Sequence, residues 1–357
     1  MEISLDNDAL QEALRIITRL APPADGGGNI TVRSTGKKVY VNSTTEGSRC
    51  EVQIPADVSG KETEFAVSLV ALRDATKGRQ KLTIAYDKTL CKIKSGGYKC
   101  DLPTVDAMKA EDLEDKITSR ATVDQDQAKW LKQSLAIVGL KPTALISTYM
   151  PLSIKLSKKG AFVACYDPNH MAFVNSNEIT GDLEVRVPLD MFTSVLDAFD
   201  KSGFKMELSS ANLYVSNKLV KVALALPQED EADLKLEEVI EAAKSSKSAD
   251  GHDIKIDKDE MLRFLDNARA VATKERSEIK VTTEDKKMKL EVQTANGSIR
   301  AQIKVDTKKK IKALVDFEFF DEAIRKSGPQ VDIKLVESEF MFFRLAKGQV
   351  LVSLNQE

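Results

Sequence analysis

The sequence predicts an α+β chain of three similar domains, each a duplicated strand-helix-strands unit that packs two helices on antiparallel sheets. Three recurring patterns predict it. An apolar residue followed by Asp-x-Asp opens an amphipathic stretch at Leu5-Asp6-Asn7-Asp8, Val123-Asp124-Gln125-Asp126 and Ile256-Asp257-Lys258-Asp259. A second signature lies about midway between these: Val67-Ser68-Leu69-Val70-Ala71-Leu72, Val187-Pro188-Leu189-Asp190-Met191-Phe192 and Val315-Asp316-Phe317-Glu318-Phe319-Phe320. A third closes each unit, where an alternating apolar run ends on Leu102-Pro103, Leu226-Pro227 and Leu354-Asn355. Self-similarity at a fixed period is the mark of a repeated architecture. It sets the expected domains at residues 1–117, 118–245 (with an acidic linker) and 246–357.

Each half follows one grammar: a short strand, a helix with Ser, Asp or Pro at its cap or first turn, then alternating strands. In the first half Ala9, Leu10, Ala13, Leu14, Ile16 and Ile17 fall at helical spacing. Residues 29–33, 39–44 and 49–54 then alternate as strands. Pro22-Pro23 and Gly26-Gly27-Gly28 end the helical region, and Thr35-Gly36 makes a turn. Ser95-Gly96-Gly97 reads as the turn of a hairpin between residues 91–94 and 98–102. Two charged stretches are expected as linkers: residues 108–116, and the mostly acidic residues 228–250, which carry Leu234, Leu236, Val239 and Ile240. The second is expected to be a solvated connector with room for a short surface helix.

The chain has 357 residues, enough for two or three cores, and a 42% hydrophobic, 30% charged composition that excludes disorder. Its formal charge of -2 excludes the overall basicity of tight, non-specific nucleic-acid binders. No stretch approaches the length of a membrane span, and the N-terminus has an early acid and no apolar run. These features predict a soluble, unexported, cytoplasmic chain without membrane contact. The four cysteines, Cys50, Cys91, Cys100 and Cys165, show no C-x-x-C spacing and read as reduced thiols packed like small apolar groups.

Little in the sequence promises catalysis, and no cofactor or metal is expected. Paired aspartates suit hard cations, but three copies at equivalent places fit helix capping better: the first aspartate accepts from free N–H groups and the second complements the helix dipole. Only two histidines occur, His170 and His252. An acid-base pair of Asp167 and His170 lacks a third partner, so a turn aspartate and a surface histidine are the expected reading. The glycine run lacks the endings of phosphate-binding loops. Trp130 is the only tryptophan, and the six tyrosines are spread thinly, so no stacking platform is expected.

What remains is cationic. Basic residues gather in the later turns of the expected helices: Arg15, Arg19, Arg73, Lys77, Arg79, Lys129, Lys132, Lys201, Arg269, Lys274, Arg276, Arg325 and Lys326. Any one of them is explained equally well by the C-terminal helix dipole. Recurrence across six helices is what favours phosphate contacts.

The triplicated plan resembles the bacterial-type DNA polymerase sliding clamp over essentially the whole chain. The most specific segments are Leu90-Cys91-Lys92-Ile93-Lys94-Ser95-Gly96-Gly97-Tyr98-Lys99-Cys100-Asp101-Leu102-Pro103 and Ala164-Cys165-Tyr166-Asp167-Pro168-Asn169-His170-Met171-Ala172. The second is similar to an Ala-Thr-Asp-Gly-His-Arg-Leu-Ala strand of that family, sharing only its flanking alanines, aspartate and an apolar residue, as in a divergent or viral clamp. The resemblance implies a non-enzymatic processivity factor: a head-to-tail homodimer whose six domains encircle duplex DNA, present the cations named above to phosphates without sequence preference, and tether a replicative DNA polymerase, with a clamp loader as further partner. It also implies an apolar partner-peptide pocket, to which Leu152, Met171, Leu351, Val352 and Leu354 are assigned by position. The tail departs from the family's Met-Pro-Met-Arg-Leu type of ending. The competing expectation is a structural or assembly protein that inherited the fold without encircling DNA.

Overall fold

The computed structural model describes residues 1–23, 28–36, 38–107, 116–139, 151–167, 170–199, 202–227, 235–273, 277–336 and 339–355. The first third comprises β1 (Glu2–Asp6), α1 (Asn7–Leu20), β2 (Asn29–Thr35), β3 (Lys38–Thr44), β4 (Ser48–Ile54), β5 (Ala56–Ser59), β6 (Thr63–Ser68), α2 (Leu69–Thr76), β7 (Lys81–Asp87), β8 (Leu90–Ser95) and β9 (Tyr98–Val105). There follow β10 (Ser119–Val123), α3 (Gln125–Val138), β11 (Pro151–Ser157), β12 (Gly160–Tyr166), β13 (His170–Ser176), β14 (Leu183–Pro188), α4 (Leu189–Ala198), β15 (Phe204–Leu208), β16 (Asn212–Ser216), β17 (Val220–Ala225) and α5 (Leu236–Ser248). The last third holds β18 (His252–Asp257), α6 (Lys258–Ala268), β19 (Glu278–Glu284), β20 (Lys287–Thr294), β21 (Gly297–Lys304), β22 (Ile311–Asp316), α7 (Phe317–Lys326), β23 (Gln330–Val336), β24 (Phe340–Arg344) and β25 (Gln349–Asn355).

The expected α+β grammar is present: β1-α1, β6-α2, β10-α3, β14-α4, β18-α6 and β22-α7 are six strand-to-helix steps. The aspartates cap as anticipated. Asp6 accepts from the Asp8 amide at 2.9 Å and Asp257 from Glu260 at 3.0 Å, while Asp124 and Gln127 bond each other's amides reciprocally at 2.8 and 3.1 Å. Asp8, Asp126 and Asp259 occupy the first turns, next to the positive end of the dipole. Midway, Ser68 caps α2 and Asp316 caps α7. The β8-β9 hairpin turns through Gly96 and Gly97, with Ser95 opposite Tyr98 and Gly96 at φ +58°, where a side chain would be strained.

The chain forms two compact units, residues 1–129 with 190–226, and residues 130–189 with 227–357. The first holds a 13-stranded sheet ordered β10-β15-β16-β17-β4-β3-β2-β6-β9-β8-β7-β1-β5. α1 buries Leu10, Ala13, Leu14 and Ile17 against it, each at most 2% exposed. The second holds a 12-stranded sheet running β14-β11-β12-β13-β25-β22-β19-β20-β21, with β18, β23 and β24 attached through β25. Its core includes Phe317, Phe320, Phe343 and Ile333, all buried.

The acidic connector is a correction. Residues 236–248 form a helix, α5, whose Leu236, Val239 and Ala243 are buried among Tyr166, Met171, Phe173 and Phe342 of the second sheet. Their spacing of three and four residues puts them on one stripe, and an apolar stripe with a sheet face to cover does not stay in water.

Candidate functional site

In the first unit, α1 and α2 are stitched together by amides. Asn7 Nδ2 donates to the carbonyls of Thr76 and Arg79 at 2.8 and 2.9 Å, and Gln11 Nε2 donates to Thr76 Oγ1 at 2.7 Å. Arg15, Arg19 and Arg73 then line one shallow groove of about 740 Å³ with Asp8 and Glu12. Each arginine has an acid beside it: Arg15 is bidentate on Glu12 at 2.6 and 2.8 Å, Arg19 lies 3.3 Å from Asp197, and Arg73 3.3 Å from Asp74. Lys77 is exposed at the end of α2, whereas Arg79 lies over the Tyr98 ring, 3.8 Å from its centroid. Lys129 and Lys132 are exposed on α3.

Lys132 already belongs to the second unit, where the cations of α6 and α7 are held more tightly. Arg269 and Arg325 both bind Asp321, which is buried, and Arg325 also reaches Asp266 at 2.6 Å. The two carboxylates hold the Arg325 guanidinium in its charged form by raising its pKa. Lys326 is mostly covered: its ammonium donates to the Gly139 carbonyl at 2.6 Å and pairs with Glu322 at 2.7 Å. Lys201, Lys274 and Arg276 lie outside the described residues. Ion pairs between exposed side chains are worth about 0–1 kcal/mol, so a phosphate displaces such a carboxylate at little cost. The structure thus separates exposed, exchangeable cations (Arg15, Arg19, Arg73, Lys77, Lys129, Lys132) from Arg325 and Lys326, which build the fold.

The five assigned pocket residues divide between the two faces of a sheet. Met171 and Leu351 are opposite each other in the β13-β25 register and face α5. Val352 pairs with His170, one residue along, and Leu152 pairs with Cys165, so pleat alternation puts Leu152 and Val352 on the other face, fully buried. Leu354 is half-buried opposite Val315 of β22, beyond that rung. Met171 and Leu351 border a cavity of about 150 Å³ whose opposite wall is α5. Glu238, Val239 and Ala242 of that wall were missed by sequence reasoning, although the spacing of Leu236, Val239, Ile240 and Ala243 signals a helix. Lys155 holds the start of α5 by bonding Glu237 at 2.9 Å while also pairing with Glu184, and these contacts raise the lysine pKa and lower that of Glu237.

Asp167 is the expected turn residue, accepting from the His170 amide at 3.0 Å. His170 is a correction: it is 1% exposed, not on the surface. The alternation of β13 turns its ring inward against Phe319, centroids 4.5 Å apart, with neither ring nitrogen hydrogen-bonded among the described residues. Burial, then the nearby Lys326 charge, pushes its pKa down to about 3. A neutral imidazole with no bonded partner does not act as an acid-base group at neutral pH. The four cysteines form no disulfide, and burial raises the Cys50 and Cys91 thiols to about 12. No described helix is long and apolar enough to cross a membrane.

No protein-family model and no curated protein sequence matches the chain. Solved structures do. A sliding clamp (DNA polymerase III subunit beta) from Bartonella birtlesii bound to griselimycin superposes at a TM-score of 0.83 with 14% identity, over 100% of both chains. The DNA polymerase III subunit beta of Pseudomonas aeruginosa gives 0.82 with 10% identity over 100% of both chains. The beta subunit of Thermotoga maritima gives 0.79 with 11% identity, over 100% of this chain and 99% of that one. The chain has the fold of these proteins from end to end.

Proposed function

We propose that this protein is a DNA sliding clamp, a non-enzymatic ring that encircles duplex DNA and tethers a replicative polymerase. The observation that carries this reading is a pattern of strand edges. The closing strand β17 pairs with β4, the third strand after α1, and the closing strand β25 pairs with β13, the third strand after α3. The same rule applied once more joins β9 to β21, the third strand after α6. Within the described residues, β21 ends its sheet and residues 98–103 of β9 pair on one side only. Two copies joined β9 to β21 in both directions satisfy all four edges, and such a heterologous contact closes when the rotation per repeat completes a turn. The three domains on this reading are residues 1–117, 118–245 and 246–357. The pairings β17-β4 and β25-β13 cross those boundaries, which is why the middle domain divides between the two compact units.

The exposed cations of α1, α2 and α3 are the proposed DNA contacts. Their acidic neighbours moderate the field, and a ring retained by topology needs only weak, sequence-independent contacts that permit sliding. Its place is the cytoplasm of a bacterium or a phage-infected cell, with polymerase and loader as partners.

Sedimentation at several concentrations, followed by retention on circular against linear duplex, tests the proposal. The expected result is a dimer, held on circular DNA and lost from linear ends. Ile299→Asp on β21 yields monomers and abolishes retention. Converting Arg15, Arg73 and Lys77 together to Glu keeps the dimer but lowers polymerase stimulation. A wild-type monomer that is never retained on circular DNA, with or without loader, overturns the reading in favour of a clamp-fold protein that does not encircle DNA.

A further inference from the structure

We propose that the outward face of β19, β20, β21 and β22 binds the sugar-phosphate backbone of duplex nucleic acid, at a site separate from the helix cations and independent of the clamp reading. Residues 280–312 carry ten lysines and arginines against four acids, in a chain whose formal charge is -2. Strand pairing gathers these cations on one face. Two residues back from the first hairpin turn of each repeat, one outward rung crosses four strands. It holds Glu64, Arg33, Tyr40 and Gln53 in the first third, and Glu184, Lys155, Phe162 and Asn175 in the middle. In the last third the same rung holds Lys312, Thr282, Lys289 and Gln302. Where the other two carry an acid and an aromatic, this one carries lysines. The cation of each other rung is also engaged within its own sheet, Arg33 lying over the Tyr40 ring at 5.0 Å and Lys155 pairing with Glu184. One architecture accepts all three rungs, so the fold itself does not demand the lysines.

The alternate residues Val281, Met288, Leu290 and Ile303 are buried, so the pleat turns Lys287, Lys289, Lys304 and Lys312 to solvent. The acids nearby are engaged elsewhere, Glu291 with Arg300 and Glu284 with Lys310, and none of the four lysines has a carboxylate within ion-pair distance among the described residues. Lys287 stands directly opposite Lys304, and like charges so placed destabilise a strand pair. An anion lying across the pair cancels that repulsion. The chemistry of the partner follows from the rest of the face. Its outward positions hold no aromatic side chain, so bases have nothing to stack on. Leu314 is their only large apolar residue, so a protein partner has no anchor. Lysine is a point charge on a flexible stem, which suits phosphates spaced along a backbone and carries no sequence preference.

Fluorescence anisotropy of a short, fluorescein-labelled linear DNA duplex with the full-length protein tests this at several salt concentrations. Lys287→Gln, Lys289→Gln, Lys304→Gln and Lys312→Gln made together weaken binding by about tenfold or more at low salt. They also reduce the slope of log affinity against log salt by about 3–4, at about 0.9 per phosphate contact. The same variant melts at or above the wild-type temperature, because the repulsion between Lys287 and Lys304 is gone. Arg15→Glu, Arg73→Glu and Lys77→Glu together keep the wild-type slope on linear duplex. Unchanged duplex affinity in the lysine variant overturns the proposal, as does loss of binding in the helix variant. Tighter binding of a polyglutamate peptide of equal charge overturns it in favour of an acidic protein segment, and tighter binding of a single strand overturns it in favour of base stacking. Retention on circular DNA separates this site from the clamp reading. A protein never retained there, whose linear-duplex binding still falls in the lysine variant, fails as a clamp and keeps this face; a retained protein whose linear-duplex binding ignores the variant does the reverse.

Discussion

The pairing of β17 with β4 and that of β25 with β13 repeat one register with different outward faces. Val222 opposite Cys50 and Val350 opposite Ala172 occupy equivalent rungs, all of them inward and buried. On the outward face the first pair carries Arg49, Glu51, Lys221 and Ala223, and borders a cleft of about 600 Å³ lined in part by Asn29, Thr31, Asn42 and Glu64. The second carries Met171, Phe173, Gln349 and Leu351, and α5 lies on it. Backbone hydrogen bonds and inward side chains therefore make the joint, while the outward side chains decide what the joint does. The outward face of the second joint is apolar and covered by α5, whereas that of the first carries charged side chains.

Breaking the apolar face has the largest expected effect. Phe173 stacks on Phe162 with centroids 5.7 Å apart and touches Phe342 at 6.3 Å, so Phe173→Ala costs about 3–5 kcal/mol in urea unfolding. A loss below about 1 kcal/mol breaks the view that this face is core. The next effect concerns one rung further along, where His170 faces Val352 and Ser48 faces Leu224. With a folded pKa of about 3 against 6.5 when exposed, His170 takes up a proton more readily in the unfolded chain. Its neutral form is accommodated in full above pH 6.5, and stability falls as pH drops from there toward 3, by up to about 1.4 kcal/mol per unit. Denaturation midpoints across that window measure the slope, and His170→Leu flattens it; a slope identical in the variant assigns it to other groups. Ser48, by contrast, is satisfied, donating to the Leu20 carbonyl at 2.6 Å. Ser48→Ala strands that carbonyl and costs about 1–3 kcal/mol without adding pH dependence. The smallest effect sharpens the contrast from the polar side: Lys221→Ala stays within about 0.5 kcal/mol of wild type in urea unfolding.

Local chemistry was legible wherever it repeats. Asp6, Asp124 and Asp257 announced their helices because a cap needs only a short acceptor beside free N–H groups, a requirement met within three residues. Alternation in residues 29–33, 39–44 and 49–54 likewise announced β2, β3 and β4. The residues assigned to one pocket were separated: Met171 and Leu351 meet beside α5, but Leu152 and Val352 lie one residue out of phase on the other face. A sequence gives the period of a strand but not which face its neighbour covers. α5 was discounted because acidic residues surround its stripe, and the stripe becomes decisive only when an apolar sheet face is present to receive it. His170 was misplaced for the same reason.

The cations show the remaining gap. Composition placed basic residues on helix after helix, yet only the packed structure distinguishes Arg15, exposed and loosely paired, from Arg325, locked to Asp321 and Asp266. Sequence by itself determined the threefold α+β grammar, the helix starts and the hairpins, since these depend on residues within a few positions of one another. Tertiary structure decided the strand pairings across repeats, the side of the sheet that α5 covers and the charges that stay exposed, because those depend on groups brought together from as far as 214 residues apart, as in the bond from Lys347 to Gln133.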